Sequence, residues 1–176
     1  MRIISGKYKG KPLKELKFDH IRPTADKVKQ ALFTKLQFEI EGARVLDLFC
    51  GTGSLGIEAL SRGAREVIFI DRNSKSVELT RQNLKSLKIE ARVYNVSYEK
   101  ALEKVEGKFD LILVDPPYKS GVYENVLELI KQQELLNEGG TIVCEHAKED
   151  VINFDGFELY DQKRYGTVIL TYFTNK

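Results

Sequence analysis

Short apolar runs rich in β-branched residues alternate along the chain with segments whose apolar residues recur every three or four positions. From residue 43 onward, the runs predict strands at residues 44–49, 66–71, 90–96, 109–114 and 141–145. The periodic segments between them predict helices at residues 55–62, 74–87, 98–105 and 123–133. Strands connected by helices lie parallel in one sheet, because the crossovers place the helices on its faces.

The end of the chain departs from this alternation. Residues 157–164 and 167–173 both have the pattern of strands, with little more than Tyr165-Gly166 between them. Two such runs joined by a short glycine-containing link are typical of an antiparallel hairpin. We therefore predict an α/β fold with a mixed seven-stranded sheet, helices on both faces and a C-terminal antiparallel hairpin.

The first 40 residues are predicted to form a small extension of this domain. Ile3-Ile4, followed by Gly6 and Gly10, predicts a β-hairpin. Thr24 is the predicted N-cap of a helix over residues 25–37. The expected organisation is an extension at residues 1–40 and an α/β domain at residues 41–176.

Charge is distributed unevenly, although its sum is nearly balanced. The chain has 28 Lys and Arg against 26 Asp and Glu, which gives a net charge of +2. Residues 1–29 hold nine basic and three acidic side chains, about +6, so the remaining residues carry about −4. A basic segment on a mildly acidic body predicts a polyanion-binding arm. Its candidate contacts are Arg2, Lys7, Lys9, Lys11 and Arg22.

Length and composition narrow the class of protein. A chain of 176 residues with 42% hydrophobic side chains suffices for one globular domain. No apolar run approaches the roughly 18 residues that span a bilayer, and no signal-peptide core is present. The two cysteines, Cys50 and Cys144, and the two histidines, His20 and His146, have no metal-ligand or disulfide spacing. We expect a cytoplasmic protein without a metal and without a membrane partner.

A glycine-rich loop follows the first predicted strand of the α/β domain. Residues 51–56, Gly-Thr-Gly-Ser-Leu-Gly, let the backbone approach a ligand and open a helix with free N–H groups. Asp71 ends the next strand, where a carboxylate accepts hydrogen bonds from the ribose of a nucleoside. This pair of features predicts a cofactor that contains adenosine.

Asp47 distinguishes between the possible cofactors. It lies four residues before Gly51, where its carboxylate would repel the pyrophosphate of a dinucleotide. S-adenosylmethionine has no phosphate and carries an ammonium and a sulfonium, which a carboxylate attracts. The sequence therefore favours a methyl donor.

Asp115-Pro116-Pro117-Tyr118 follows the fourth strand of the α/β domain, at the sheet edge where ligands bind. The prolines fix a rigid bend with free carbonyl oxygens. The Asp115 carboxylate and the Pro116 carbonyl can accept both N–H groups of an exocyclic amine, and Tyr118 can stack on the base. This loop predicts methylation of an amine on a nucleobase.

The chain resembles the RsmD family, bacterial enzymes that methylate N2 of one guanine in 16S ribosomal RNA. The resemblance spans nearly the whole chain and rests on residues 2–6 (RIISG), 22–24 (RPT), 46–53 (LDLFCGTG), 58–64 (EALSRGA), 115–118 (DPPY) and 164–166 (RYG). It differs mildly at Cys50, where a small alanine is common, at Thr52, where serine is common, and at Asp71, where glutamate often stands.

The resemblance implies a Rossmann-like class I S-adenosylmethionine-dependent methyltransferase fold, with residues 41–176 as its catalytic domain. It implies 16S rRNA as the partner, within a small-subunit assembly particle, and a monomeric enzyme. The cofactor contacts that we expect are Asp47, Phe49, Cys50, Gly51, Thr52, Gly53, Asp71, Arg72 and Ser97. The expected catalytic residues are Asp115, Pro116, Pro117 and Tyr118, and Arg164 is a further expected RNA contact.

Three alternative functions remain open from the sequence. A DNA adenine-N6 methyltransferase would use the same Asp-Pro-Pro-Tyr loop, but the chain has no segment large enough for a sequence-recognition domain. A nicotinamide-dependent oxidoreductase would use the glycine loop and leave the Asp-Pro-Pro-Tyr loop unexplained. A non-catalytic RNA-binding module with this fold would bind RNA without turnover.

Overall fold

The computed structural model describes residues 1–16 and 23–176. Five helices are found there: α1 (Pro23–Lys35), α2 (Ser54–Ser61), α3 (Ser74–Ser86), α4 (Tyr98–Lys104) and α5 (Tyr123–Gln132). The strands in the same residues are β1 (Arg44–Asp47), β2 (Glu66–Asp71), β3 (Arg92–Asn95), β4 (Phe109–Val114), β5 (Leu136–Ala147), β6 (Glu158–Tyr165) and β7 (Val168–Thr174). From β1 onward, every predicted strand and helix is present.

The seven strands form one sheet in the order β3-β2-β1-β4-β5-β7-β6. β1 to β5 are parallel to one another, whereas β7 pairs antiparallel with both β5 and β6. The mixed sheet with a C-terminal hairpin is therefore confirmed. Since Val168 pairs with Ala147 at the end of β5, the β6–β7 turn lies at the same edge as the carboxyl ends of the parallel strands.

Two hydrophobic cores lie on opposite faces of the sheet, as the apolar strands require. On one face, Val45 of β1 and Leu113 of β4 pack in one cluster with residues of α1, α2 and α3. On the other face, Leu46 and Ile112 from the same strands pack with residues of α4 and α5. Neighbouring strand residues thus serve different cores, because successive side chains point to opposite faces.

The N-terminal segment is less regular than the predicted hairpin. A single antiparallel bridge joins Arg2 and Pro12, and the Ile3 amide donates to the Lys11 carbonyl over 3.0 Å. We call residues 1–13 the N-terminal loop. Its Ile3 and Leu13 side chains are buried in the core that contains β1. The loop therefore packs against the sheet domain through shared apolar contacts.

The starts of α1 and β5 differ from the predicted positions, and each difference has a physical reason. α1 begins at Pro23, so Thr24 lies in its first turn and is not the N-cap. Proline suits this position because its missing N–H would have no intrahelical partner there. β5 begins at Leu136 rather than at residue 141, since a register shift in its pairing with β4 accommodates residues 139–140, a Gly-Gly pair that resembles a turn in sequence.

None of the helices in the described residues is long and apolar enough to cross a membrane.

Candidate active site

The glycine loop is held in place by Asp71 at the end of β2. One oxygen of the Asp71 carboxylate accepts from the Gly51 amide over 2.9 Å, and the other accepts from the Asn73 amide over 2.8 Å. Each oxygen has a second lone pair and can accept another hydrogen bond. Asp71 can therefore contact a ribose while it also fixes the loop.

Two buried side chains of α3 support the other side of this loop. Thr80 donates to the Gly51 carbonyl over 2.8 Å, and Asn83 donates to the Thr52 carbonyl over 2.9 Å. Sequence reasoning missed both residues. The available signal was their position beside Val77 and Leu84, because polar residues on the apolar face of a helix need partners when they are buried.

Asp47 lies inside the turn, where only 1% of its surface is exposed. Its carboxylate accepts from the Gly56 amide over 2.9 Å. A Cβ on Gly56 would stand 2.3 Å from a Phe69 ring carbon and 2.9 Å from the Asp47 carboxylate, so the close approach requires glycine. Burial raises the pKa of Asp47 to about 7, against the effect of the Gly56 hydrogen bond, and the Asp71 charge adds to the rise.

The other expected cofactor contacts line the same sheet edge. The Phe49 ring lies 5.6 Å from that of Tyr98, between their centroids. Cys50 is buried with its sulfur 3.6 Å from the Thr80 hydroxyl, and burial raises the pKa of its thiol far above the ordinary value, which argues against a nucleophile. Gly53 is left-handed, with φ of 85°, and directly precedes α2.

Ser97 and Arg72 lie next to the ends of β3 and β2. Ser97 is the N-cap of α4, and its side chain accepts from the Lys100 amide over 3.4 Å. Arg72 is exposed, and its carbonyl accepts from the Asn95 side chain over 2.9 Å. Asn95 also donates to the Asp71 carbonyl, so it links the ends of the two strands.

The Asp-Pro-Pro-Tyr loop follows β4 at this edge. Pro116 is buried, whereas Asp115 and Pro117 are exposed, and Tyr118 exposes 63% of its surface. The Lys119 ammonium lies 5.8 Å from the centre of the Tyr118 ring. The tyrosine is thus available to stack on a base.

Glu145 of β5 lies beside Asp115, although it was not among the predicted site residues. Val114 pairs with Cys144, so the residues that follow them, Asp115 and Glu145, are neighbours at this edge. The pKa of the accessible Asp115 side chain is raised because nearby protein atoms limit its hydration, because Glu145 faces it and, more weakly, because of Asp47. Reduced hydration also raises the pKa of Glu145, and the neighbouring Asp115 carboxyl group opposes this rise.

His146 is fully engaged in packing and hydrogen bonds. Its ring is buried, with Nδ1 2.9 Å from the Ala147 carbonyl oxygen and Nε2 2.7 Å from the Thr171 hydroxyl. It also forms an edge-to-face contact with Tyr123, whose hydroxyl donates to the Glu145 carbonyl over 2.8 Å. These contacts give His146 a structural role in positioning the end of β5.

The N-terminal loop is anchored to α2 by side chains of the 58–64 segment. The Glu58 carboxylate accepts from the Ile4 and Ser5 amides, each over 3.0 Å. Ser61 donates to the Ser5 carbonyl over 2.6 Å, and a Cβ on Gly6 would stand 1.9 Å from the Ser61 carbonyl oxygen. Residues 58–64 therefore hold the N-terminal loop on α2, a structural role that the sequence did not predict.

The predicted RNA contacts fall into two places. Lys7, Lys9 and Lys11 are exposed, and the Lys7 amide donates to the carbonyl of Ser61, at the end of α2 away from the glycine loop. Arg2 is also exposed, and its carbonyl accepts from Lys29. Arg164 lies near the end of β6, beside the β6–β7 turn at the carboxyl edge, where it donates to the Gly166 carbonyl over 2.8 Å. Arg22 lies outside the described residues.

A cavity of about 640 Å³ lies on the α4 side of β2 and β3. It is lined by Ile70, Tyr94, Val96 and Lys104 among others, and none of the predicted site residues contributes to it. Within residues 1–16 and 23–176, no group of three or more His, Cys, Asp and Glu side chains could hold a metal ion.

Comparison with known proteins identifies relatives over nearly the full chain. The family model described as Conserved hypothetical protein 95 matches residues 1–174. Bacillus subtilis YlbH is 45% identical over 85% of this chain and 84% of its own. The Haemophilus influenzae protein named Ribosomal RNA small subunit methyltransferase D is 33% identical over 99% of this chain and 94% of its own.

Solved structures show the same fold. Escherichia coli yhhF, described as a methyltransferase, is 30% identical with a TM-score of 0.89 and covers 100% of this chain and 98% of its own. The T. thermophilus 16S rRNA N2 methyltransferase RsmC, solved with AdoMet and guanosine, has a TM-score of 0.74 at 21% identity, over 92% of this chain and 45% of its own. The fold is the class I S-adenosylmethionine-dependent methyltransferase fold. The family match and the relatives together place this chain in the RsmD family of ribosomal RNA methyltransferases.

Proposed function

We propose that this protein transfers the methyl group of S-adenosylmethionine to the N2 amine of a guanine in 16S rRNA. The main support is that the glycine loop and the Asp-Pro-Pro-Tyr loop lie at one edge of the sheet. The Gly51 amide donates a hydrogen bond to Asp71 there, and Asp115 follows β4 at the same edge. The name of the H. influenzae relative supports the small-subunit rRNA as the substrate.

The residues at the glycine loop suit S-adenosylmethionine. Space is open where a Cβ would stand on Gly51, so a ligand can approach the backbone there. Buried Asp47, with its pKa of about 7, becomes charged more readily beside a cation, which binds more tightly in return. Asp71 keeps acceptor capacity for ribose hydroxyls. When bound, S-adenosylmethionine supplies a methyl group attached to a sulfonium, and the sulfur leaves readily as a neutral thioether.

The Asp-Pro-Pro-Tyr loop suits an amine on a nucleobase. The Asp115 carboxyl group and the Pro116 carbonyl accept the two amine hydrogens, which turns the nitrogen lone pair out of conjugation with the ring. The exposed Tyr118 ring stacks on the base. Alignment of the amine then provides most of the rate enhancement, because correct orientation removes an entropic part of the barrier.

The RNA surface includes Arg164 at the carboxyl edge and the basic N-terminal loop farther away. α2 has eight residues, so its length of about 12 Å separates the loop lysines from the glycine loop. A ribosomal substrate is large enough to contact both. We propose that a small-subunit assembly particle in the cytoplasm is the substrate and that the enzyme acts as a monomer.

The test uses purified protein, labelled S-adenosylmethionine and small-subunit particles from bacteria that lack the corresponding methyltransferase. We expect one labelled nucleoside, N2-methylguanosine, by mass spectrometry. The variant Asp115→Ala should abolish transfer, whereas Asp155→Ala, an exposed aspartate before β6, should transfer at the wild-type rate.

Three results would contradict the proposal: no transfer to particles or their RNA, N6-methyladenosine as the product, or full activity of Asp115→Ala. A DNA substrate in parallel tests the adenine alternative. Calorimetry with NAD and with S-adenosylmethionine tests the oxidoreductase. RNA binding without any transfer would indicate a non-catalytic module.

A further inference from the structure

Asp115 and Glu145 place two carboxyl groups side by side at the proposed base-binding edge. Asp115 directly follows β4 and Glu145 lies in β5, each one residue beyond the Val114–Cys144 pair of the two parallel strands, and the Glu145 charge acts on Asp115. The Glu145 backbone is held by the Tyr123 hydroxyl at the start of α5. The second carboxyl group therefore belongs to a backbone position that the sheet and Tyr123 hold beside Asp115.

The charge around this pair favours ligands that donate hydrogen bonds. No Lys or Arg of the described residues forms a salt bridge with Asp115 or Glu145. The third acid that acts on Asp115, Asp47, comes from β1. Each carboxyl group has two oxygens with acceptor lone pairs, so the pair can accept more than one hydrogen bond from a ligand.

We infer that Glu145 selects guanine, by accepting the N1–H group while Asp115 accepts a hydrogen of the 2-amine. This inference rests on the proposed function and adds a residue that determines base specificity. The Watson–Crick edge of guanine carries N1–H and the 2-amine on adjacent ring atoms, so two adjacent donors meet two adjacent acceptors. A base taken out of its stack is read through this edge.

Adenine fits the same pair poorly. Its Watson–Crick edge carries the 6-amine next to N1, which has a lone pair and no hydrogen. When Asp115 binds the 6-amine, the lone pair of adenine N1 faces the Glu145 carboxylate. Both groups are acceptors, so neither has a hydrogen-bond partner. Once a bound base covers the pair, an acceptor without a partner is costly, so sites that accept a hydrogen bond from a substrate N–H group strongly reject analogues without that group.

The experiment compares guanine with 2-aminopurine at the target nucleotide. The target is first located with wild-type enzyme, and a synthetic RNA segment with either base is then ligated into the small-subunit rRNA. 2-Aminopurine keeps the 2-amine, which Asp115 contacts, but its N1 has no hydrogen. We expect the wild-type kcat/KM to fall at least about 100-fold with 2-aminopurine.

The variant Glu145→Gln separates recognition of N1 from general damage. A glutamine side chain can donate to a bare N1, so the ratio of kcat/KM for guanine to that for 2-aminopurine should fall at least about tenfold from wild type. Glu145→Asp keeps the acceptor and should keep most of the discrimination. Glu149→Gln, exposed beyond the end of β5, should leave the ratio unchanged.

The outcomes distinguish this inference from the proposed function. If wild-type enzyme forms no N2-methylguanosine, the proposed function fails. If it does form this product, the Glu145→Gln variant tests the inference. An unchanged ratio of kcat/KM for guanine to that for 2-aminopurine, even with both values lowered, would show that Glu145 does not select the base. Should Glu145→Gln fail to fold in circular dichroism, the wild-type ratio and Glu145→Asp still decide: equal rates on the two bases would overturn the inference.

Discussion

Lys29 of α1 and Glu58 of α2 form an ion pair in the protein interior, with 3.4 Å between the ammonium nitrogen and a carboxylate oxygen. Both side chains are almost completely buried. Burial lowers the pKa of Lys29, and the Glu58 carboxylate opposes this effect. Lys29 also donates to Ser54, the first residue of α2 after the glycine loop. The pair therefore joins α1 and the N-terminal loop to the start of α2, next to the glycine loop.

Replacement of Glu58 by glutamine should destabilise the fold strongly. Glu58→Gln leaves the Lys29 charge buried without a counter-ion, which costs about 3–5 kcal/mol in comparable buried pairs. Urea denaturation measures the loss in the free energy of unfolding. The control Glu103→Gln changes an exposed glutamate of α4 and should alter this free energy by less than about 0.5 kcal/mol. A similarly small loss for Glu58→Gln would mean that the pair contributes little.

Affinity for S-adenosylmethionine should increase as the pH rises through about 7. A cationic ligand favours the charged form of Asp47, and burial raises the pKa of this group to about 7. Below that pH, binding must first remove the proton. Calorimetry from pH 6 to pH 8 checks the trend, and Asp47→Asn should bind more weakly with a flatter pH profile. An equally steep profile in Asp47→Asn would assign the titration to another group.

The same residue should reduce stability at neutral pH. Because the folded-state pKa of Asp47 lies above its unfolded value, the folded protein holds a proton that the unfolded chain releases. The stability that Asp47 contributes is therefore present at low pH and lost as the pH rises towards about 7. Thermal unfolding at pH 8 should show Asp47→Asn to be at least as stable as wild type, since its amide oxygen can still accept from Gly56. A large loss of stability there would contradict this account.

Tyr118 should contribute to RNA substrate binding through its ring. Tyr118→Ala removes a stacking contact worth about 1–3 kcal/mol, whereas Tyr118→Phe retains the ring and should stay near wild type. Steady-state kinetics on ribosomal particles, read as kcat/KM, measure the effect. Tyr94→Ala, which removes an exposed tyrosine of β3, is the matched control. Equal losses in Tyr118→Ala and Tyr118→Phe would indicate that the hydroxyl matters and the ring does not.

The lysines of the N-terminal loop should contribute to RNA affinity through phosphate contacts. If each of Lys7, Lys9 and Lys11 neutralises a phosphate, its replacement by alanine should reduce the slope of log affinity against log salt by about 0.7–0.9. Fluorescence titrations at several salt concentrations give this slope. Lys75→Ala, at an exposed position on α3, serves as the control. Unchanged slopes in all three variants would show that these lysines are only solvated.

The order of strands and helices, the C-terminal hairpin, and the positions of the glycine loop and the Asp-Pro-Pro-Tyr loop could all be predicted from the amino-acid sequence. These features are encoded within short windows, in hydrophobic periodicity and in the turn preferences of glycine and proline. The position of Asp71 near the glycine loop was also predictable. Asp71 ends β2 and the glycine loop follows β1, and the carboxyl ends of neighbouring parallel strands lie at the same edge of the sheet.

The contacts between side chains that are distant in the chain were visible only in the folded protein. Glu145 became a neighbour of Asp115 through the register between β4 and β5, and Glu58 reached the Ile4 amide across 54 positions of the chain. The structure also showed that Lys7, Lys9 and Lys11 of the N-terminal loop lie near the end of α2 that is farther from the glycine loop. The net charge of the segment could not indicate this position. Such contacts depend on how whole elements pack, because the periodicity of a strand fixes which side chains face the core but allows registers that differ by two residues.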